Sequence, residues 1–170
     1  MTKHERNHAQ SGRPTDTAFS LIELLIVVAI ILIVSAIAIP NLIRAKIAAN
    51  QSAAVENCRT ITSAETTYYI EYSQGFAASL GALGGPATGT FTATNAQLID
   101  DALSAGNKSG YKYTYVPLSI DSSGAYQNYS LNADPLMPTV TGIDHYFTNE
   151  PSVIHFTENG SASVNDPPIP

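Results

Sequence analysis

A single carboxylate in this chain sits in surroundings where a charge is unfavourable. Glu23 follows Phe19-Ser-Leu-Ile and opens a stretch, Leu24 to Ile43, that carries no charge. Near the centre of a bilayer an ionised side chain costs roughly 2.5 to 3.5 kcal/mol, less toward the interface, so Glu23 calls for a partner. If the chain is cut after Ala18, the new α-amino group of Phe19 is a cation four residues upstream of Glu23. That pairing, within one subunit or between neighbours, is the chemistry of association rather than of turnover.

The other reactive side chains point to less. Cys58 is the only cysteine, which excludes an intramolecular disulfide and any site built from several thiolates; at an apolar position it reads as a small buried hydrophobe. His145 and His155 fall on neighbouring predicted strands without convergent carboxylates and read as sheet residues rather than metal ligands. Asp134, Asp144 and Asp166 are the residues a hard cation such as Ca²⁺ would draw on, and solvated loop carboxylates are the simpler reading. Tyr68, Tyr69 and Tyr72 suggest an aromatic path for charge, yet helix-to-sheet packing accounts for their apolar bodies and polar tips. The chain has no Gly-rich phosphate loop, no Gly-x-Ser-x-Gly elbow and no His-Glu-x-x-His pair. The reading is therefore not an enzyme, with no catalytic residue, no cofactor and no metal.

What must position Glu23 is a helix. Leu24 to Ile43 is apolar on every side, and about twenty residues at ~1.5 Å each span about 30 Å, the thickness of a bilayer's hydrocarbon core. Residues 1–18 are polar, with Lys3, Arg6, Arg13, Gly12 and Pro14, and read as a leader. Cations before the span hold the N-terminus in the cytoplasm and send the rest outward. That outward part is acidic: the whole chain has eight Lys and Arg against fourteen Asp and Glu, net −6. From Ser73 onward only Lys108 and Lys112 face eight carboxylates, which argues against nucleic acid as a partner. A rival reading takes residues 1–38 as a secretory signal, since Ala36-Ile37-Ala38 fits a small-x-small cleavage pattern. The apolar run is longer than a signal's usual core of about 7 to 15 residues, and helical character continues past that cut.

Ala18-Phe19-Ser20-Leu21-Ile22-Glu23-Leu24-Leu25-Ile26 resembles the processing site of type IV pilins and their pseudopilin relatives. The resemblance implies that a prepilin peptidase cuts between Ala18 and Phe19 and that Phe19 is N-methylated. It also implies that Phe19 and Glu23 act in assembly, and that Pro40 stands where pilins usually carry a helix-kinking proline. Where the family usually has Gly before the cut, this chain has Ala18. The function implied is a structural subunit that starts in the inner membrane. With its assembly machinery it polymerises through its N-terminal helix into an extracellular filament, a homo-oligomer. Two alternatives stand beside it: a type II secretion pseudopilin forming a periplasmic piston, and a membrane-tethered or secreted binding module.

The expected architecture is α+β. Residues 19–40 form the membrane or filament-core helix, and residues 41–72 continue it as an amphipathic helix. Ile47, Ala54, Cys58, Ile61, Ala64, Tyr68 and Tyr72 recur on one face of that second part. Pro40 removes one backbone hydrogen bond and should kink or loosen the rod. Residues 73–170 form a globular head: an irregular connector from Gly75 to Thr94, a short helix over 95–105 capped at Asn95, and an antiparallel meander of about four strands. Those strands are predicted at Tyr111–Val116, Tyr126–Asn132, His145–Thr148 and Val153–Thr157. Turns are predicted at Asp121-Ser-Ser-Gly124, Glu150-Pro-Ser152 and Asn159-Gly160, with an extended tail from Asp166.

Overall fold

A computed structural model describes residues 19–85 and 89–169. The expected leader, residues 1–18, lies outside the described residues. The first element is α1, Leu21–Tyr72, which includes Pro40. The chain divides into two compact units at Pro40 and Asn41. In the first, none of the helical residues is buried, and the segment is long and apolar enough to cross a membrane by length and composition.

The second unit is the head. Its elements are the last part of α1, then α2 (Leu80–Leu83), α3 (Asp101–Ser104), β1 (Asn107–Lys108), β2 (Tyr111–Ile120), β3 (Tyr126–Pro135), β4 (His145–Asn149) and β5 (His155–Thr157). The strands form one sheet in sequence order, each antiparallel to the next. The expected α+β meander is present, with five strands where about four were expected. The additional strand, β1, has two residues and is made by a tight turn: Ser109 and Gly110 both hold positive φ, 52° and 77°, the backbone a two-residue hairpin demands.

The amphipathic face of α1 covers this sheet as its spacing predicts. Ala54, Cys58 and Ile61 have no exposed surface, and Ile47, Ala64 and Tyr68 are buried beside them. From the sheet, Tyr111, Tyr113, Tyr129, Leu131 and Ala133 close the same core. Asn57 donates from its amide to the Tyr113 hydroxyl at 2.9 Å, so that buried polar pair is satisfied. The helix stops at Tyr72 because Ser73 turns to φ 50°, while its N–H still reaches the Tyr69 carbonyl at 3.3 Å.

Three expectations need correction. The connector after Gly75 is not wholly irregular: Ser79 caps α2 by accepting the Ala82 N–H at 3.2 Å. The helix expected over 95–105 is only Asp101–Ser104, with Asp100 as its cap. The reason is local competition for carbonyls, because the N–H groups of Ala96, Gln97 and Leu98 donate to Ala82, Gly84 and Leu83 at 2.9, 3.0 and 2.7 Å. Those bonds satisfy the end of α2 and hold residues 96–98 out of helix, with Gln97 at φ 54°, so helix starts only where Asp100 accepts from Ala102 and Leu103. The third concerns strand ends. β2 runs past Pro117 to Ile120, because alternate residues from Tyr113 face the side of the sheet where β1 has already stopped, and no N–H is demanded of Pro117. β3 runs on to Pro135 and β4 to Asn149, whereas β5 begins at His155. The tail from Asp166 meets the sheet only at its edge, where Phe156 N–H donates to Pro167 at 3.0 Å and Ile169 N–H to Ile154 at 2.9 Å.

Candidate assembly site

Phe19, Ser20 and Glu23 form the start of α1. Ser20 is the N-cap: its carbonyl accepts the Leu24 N–H at 3.2 Å, the first bond of the helix. Glu23 turns back so that its Oε2 accepts the Ser20 N–H at 3.3 Å. Ser-x-x-Glu is one half of a capping box, in which a carboxylate three residues into a helix serves a donor that has no other partner. Glu23 therefore has a role inside its own chain, and it sits at the positive end of the helix dipole. That pattern is visible in the sequence as Ser20-Leu-Ile-Glu23, and the counter-charge argument passed over it.

Around this cap the surface is apolar and open. Phe19 is 76% exposed and Leu21 82%, and Leu32, Ile33, Ile37 and Leu42 are each 64% or more. Covering them with hydrocarbon or protein is strongly favourable, at about 25 cal/mol for each Å² of apolar surface withdrawn from water. Ala18, the other half of the predicted cleavage point, lies outside the described residues.

The remaining candidate groups are used locally. Cys58 is fully buried, and burial pushes its thiol up to about 12, so it is not a nucleophile near neutral pH. His145 Nδ1 meets Asp134 Oδ1 at 2.6 Å, and the same oxygen accepts from the Ser161 hydroxyl at 3.0 Å. Asp144 accepts from the Gln51 amide and from the Tyr146 hydroxyl. Asp166 accepts from the N–H and hydroxyl of Ser163 at 2.7 and 2.8 Å, and its carbonyl faces His155 Nδ1 at 2.6 Å. Among the described residues no group of three or more His, Cys, Asp or Glu is placed to hold a metal ion. Tyr68 and Tyr72 pack with ring centroids 4.8 Å apart, and Tyr69 lies 5.2 Å from Phe76. The Tyr68 hydroxyl donates to the Ala93 carbonyl at 2.7 Å, which is a packing role.

One group escaped the sequence reading. Glu65 has no exposed surface. Its Oε2 accepts the Ala77 N–H at 3.0 Å, while Oε1 has no hydrogen-bond partner. Tyr115 lies beside it but donates its one proton to the Ala77 carbonyl at 2.8 Å. Burial holds the Glu65 carboxyl above its ordinary 4.5, against the lowering influence of Tyr115 and Ala77. The signal was in the spacing: Cys58, Ile61, Glu65, Tyr68 and Tyr72 are separated by three, four, three and four, so Glu65 lies on the buried stripe.

Comparison with known proteins places this arrangement. Residues 13–39 match the family model described as the prokaryotic N-terminal methylation motif. The chain is 45% identical over 58 residues to the type IV major pilin protein PilA of Myxococcus xanthus, in an alignment covering 34% of this chain and 26% of that protein. It is 37% identical over 97 residues to the type IV wide pilus major component PilA4 of Thermus thermophilus, covering 54% of this chain and 74% of that protein. No solved structure matches the chain significantly.

Proposed function

This chain belongs to the type IV pilin family as a structural subunit, and we propose that it is made as a membrane-held precursor and becomes one unit of an extracellular pilus. In this reading residues 1–18 are a leader that a prepilin peptidase removes between Ala18 and Phe19, and Phe19 is then N-methylated. Residues 19–40 lie first in the inner membrane and later in the filament core, and residues 41–72 join that helix to the head, residues 73–170. Both relatives are named as major pilus components, which favours a surface fibre over a secretion piston.

The observation that carries the reading is the surface of α1 from Leu21 to Ile43. It is apolar and unburied within its own chain, so its stability must come from lipid or from other copies. Exchange of lipid contacts for protein contacts lets the same side chains serve both stages. Cleavage changes the electrostatics at the cap. The Phe19 nitrogen becomes a cation beside a carboxylate that already serves the Ser20 N–H, and Glu23 of an incoming subunit can be matched by the ammonium of a neighbour. Pro40 has no N–H for the Ala36 carbonyl, and it supplies a joint that lets the helix repack on leaving the bilayer.

Mass spectrometry of subunits from isolated filaments tests this. The expected first residue is N-methylated Phe19. Subunits beginning at Ile39 would support secretion by a cleaved signal, and polymerised subunits that retain residues 1–18 would overturn the role given to the Phe19 ammonium.

A further inference from the structure

Within the connection between β3 and β4, the eight residues Leu136-Met-Pro-Thr-Val-Thr-Gly-Ile143 carry no charge and are followed by Asp144, in a head dominated by carboxylates. Leu136, Met137, Val140 and Ile143 are 52%, 56%, 53% and 42% exposed. Scattered apolar side chains on a surface are ordinary, but four within eight residues make a patch with a use.

Much of the backbone beneath the patch is already hydrogen-bonded. Leu136 N–H donates to Gly110 at 2.9 Å, Thr139 N–H to Gly142 at 2.8 Å, and the N–H groups of Val140 and Thr141 to Met137 at 3.1 and 2.8 Å. The Asn50 amide donates to the Thr141 carbonyl at 2.7 Å, which ties the loop to α1. Gly142 seats it more firmly still, since a Cβ there would stand 2.2 Å from the Tyr111 hydroxyl oxygen. A loop with many of its polar groups bonded internally enters the partly hydrated headgroup region at less penalty than an open loop.

Its place along the head follows from the contacts of α1. Asn50 and Gln51 meet the loop, Asn57 meets Tyr113, and Glu65 meets Ala77 beside Tyr115. The loop is therefore at the low-numbered end of the head, and the β2–β3 turn is at the other. Asn50 is only about 10 Å of helix beyond Ile43, the last residue of the charge-free run. Ile43, Ile47 and Asn50 share one face by their spacing. At the same level Arg44 and Lys46 are exposed, and they fit the phosphates of anionic lipid.

The geometry points to this loop as a second membrane contact. Leu136, Met137, Val140 and Ile143 rest in the headgroup region of an anionic bilayer while α1 holds the subunit, with Arg44 and Lys46 against lipid phosphates. The inference rests on the membrane-held stage proposed above. Extraction of the subunit then frees the patch.

The test uses the full chain in vesicles of phosphatidylethanolamine and phosphatidylglycerol, with an environment-sensitive fluorophore on Val140→Cys. Ser123→Cys in the β2–β3 turn and Leu25→Cys in the span serve for comparison, and buried Cys58 stays unlabelled in the folded protein. The label at 140 is expected to emit to the blue of the label at 123 and to be quenched by lipids spin-labelled at the headgroup. Arg44→Gln with Lys46→Gln should reduce that quenching in these vesicles and leave it unchanged in phosphatidylcholine alone. A water-like spectrum at 140, with quenching at 25 by acyl-chain spin labels, overturns the second contact and leaves anchorage standing. Absence of quenching at 25 as well overturns anchorage and this inference with it. A blue shift at 140 that vanishes when the protein is diluted within the vesicles assigns the patch to a second copy and also overturns it.

Discussion

The two parts of α1 have the same secondary structure and opposite uses of apolar side chains. Up to Ile43 they are spread around the helix and none is buried, whereas from Ile47 to Tyr68 they gather on one face and disappear under the sheet. The first arrangement cannot fold anything in its own chain. The second holds the head together, and it also buries polar groups that need partners: Asn57 finds Tyr113, and Glu65 finds the Ala77 N–H. Apolar content alone therefore does not say what a helix is for. What matters is whether the periodicity leaves one face to be covered by the same chain, or every face to be covered by something else.

The sharpest way to break that comparison is a pair of substitutions, one in each part. Leu131→Ala opens a cavity under α1, where Leu131 has no exposed surface. It should cost about 2 to 5 kcal/mol and lower the melting temperature of the head by on the order of 10 °C, with membrane insertion unchanged. Ile33→Lys, at a residue 65% exposed, should do the reverse. It should weaken insertion by about 2.5 to 3.5 kcal/mol and leave head melting where it was. Thermal unfolding followed by circular dichroism, together with the membrane-bound fraction, reads both. If each variant changes both quantities, the helix does not divide its work in this way.

Much of this division was legible in the residues, and the failures share a cause. The strict alternation of Tyr111, Tyr113 and Tyr115 marks a strand, and the spacing from Ile47 to Tyr68 marks the covered face. Asn95 looks like a helix cap, but whether a cap is used depends on where nearby N–H groups go, and the carbonyls at the end of α2 that claim residues 96–98 lie 13 to 15 residues upstream. Two-residue β1 is too short for any periodicity and exists because Ser109 and Gly110 accept positive φ. Ser20 with Glu23 was readable, since the capping pattern is local. The chemistry of a carboxylate in an apolar run drew attention away from it. Glu65 was hidden by its residue type, because charged side chains are expected on the outside.

The role of Glu23 separates into two effects that one substitution confounds. Glu23→Ala removes both the cap and the charge, while Glu23→Gln retains an acceptor for the Ser20 N–H and removes only the charge. A carboxylate in the first turn of a helix contributes about 0.3 to 1 kcal/mol, so neither change should prevent insertion. If the charge directs assembly, both variants should insert normally and yield few ordered filaments by electron microscopy. Recovery of normal filament number and length by Glu23→Gln alone would reduce the residue to a cap and remove the Phe19 ammonium from the account.

The smallest effect expected is at Glu65, and its sign is the informative part. Its folded-state carboxyl is held above the ordinary 4.5, first by burial, so the folded head favours the protonated form. Stability from this group is then complete below about 4.5 and is lost as pH rises through the higher folded value. Tyr68, Tyr115 and Tyr129, the titratable groups around it, stay neutral in this range, their hydroxyls raised mainly by burial. Asp100, lowered first by its bond to Lys108, and Asp121, lowered first by the Ser123 hydroxyl, act in the opposite direction at acid pH. The wild type must therefore be compared with Glu65→Gln, whose amide reproduces the protonated acid. Urea melts at pH 4 and pH 7 should show the wild type losing stability relative to Glu65→Gln as pH rises. A constant difference would mean that the Glu65 carboxyl holds its proton equally well in the folded and unfolded chain, and a wild type that gains stability relative to Glu65→Gln would mean a carboxylate held ionised in the fold.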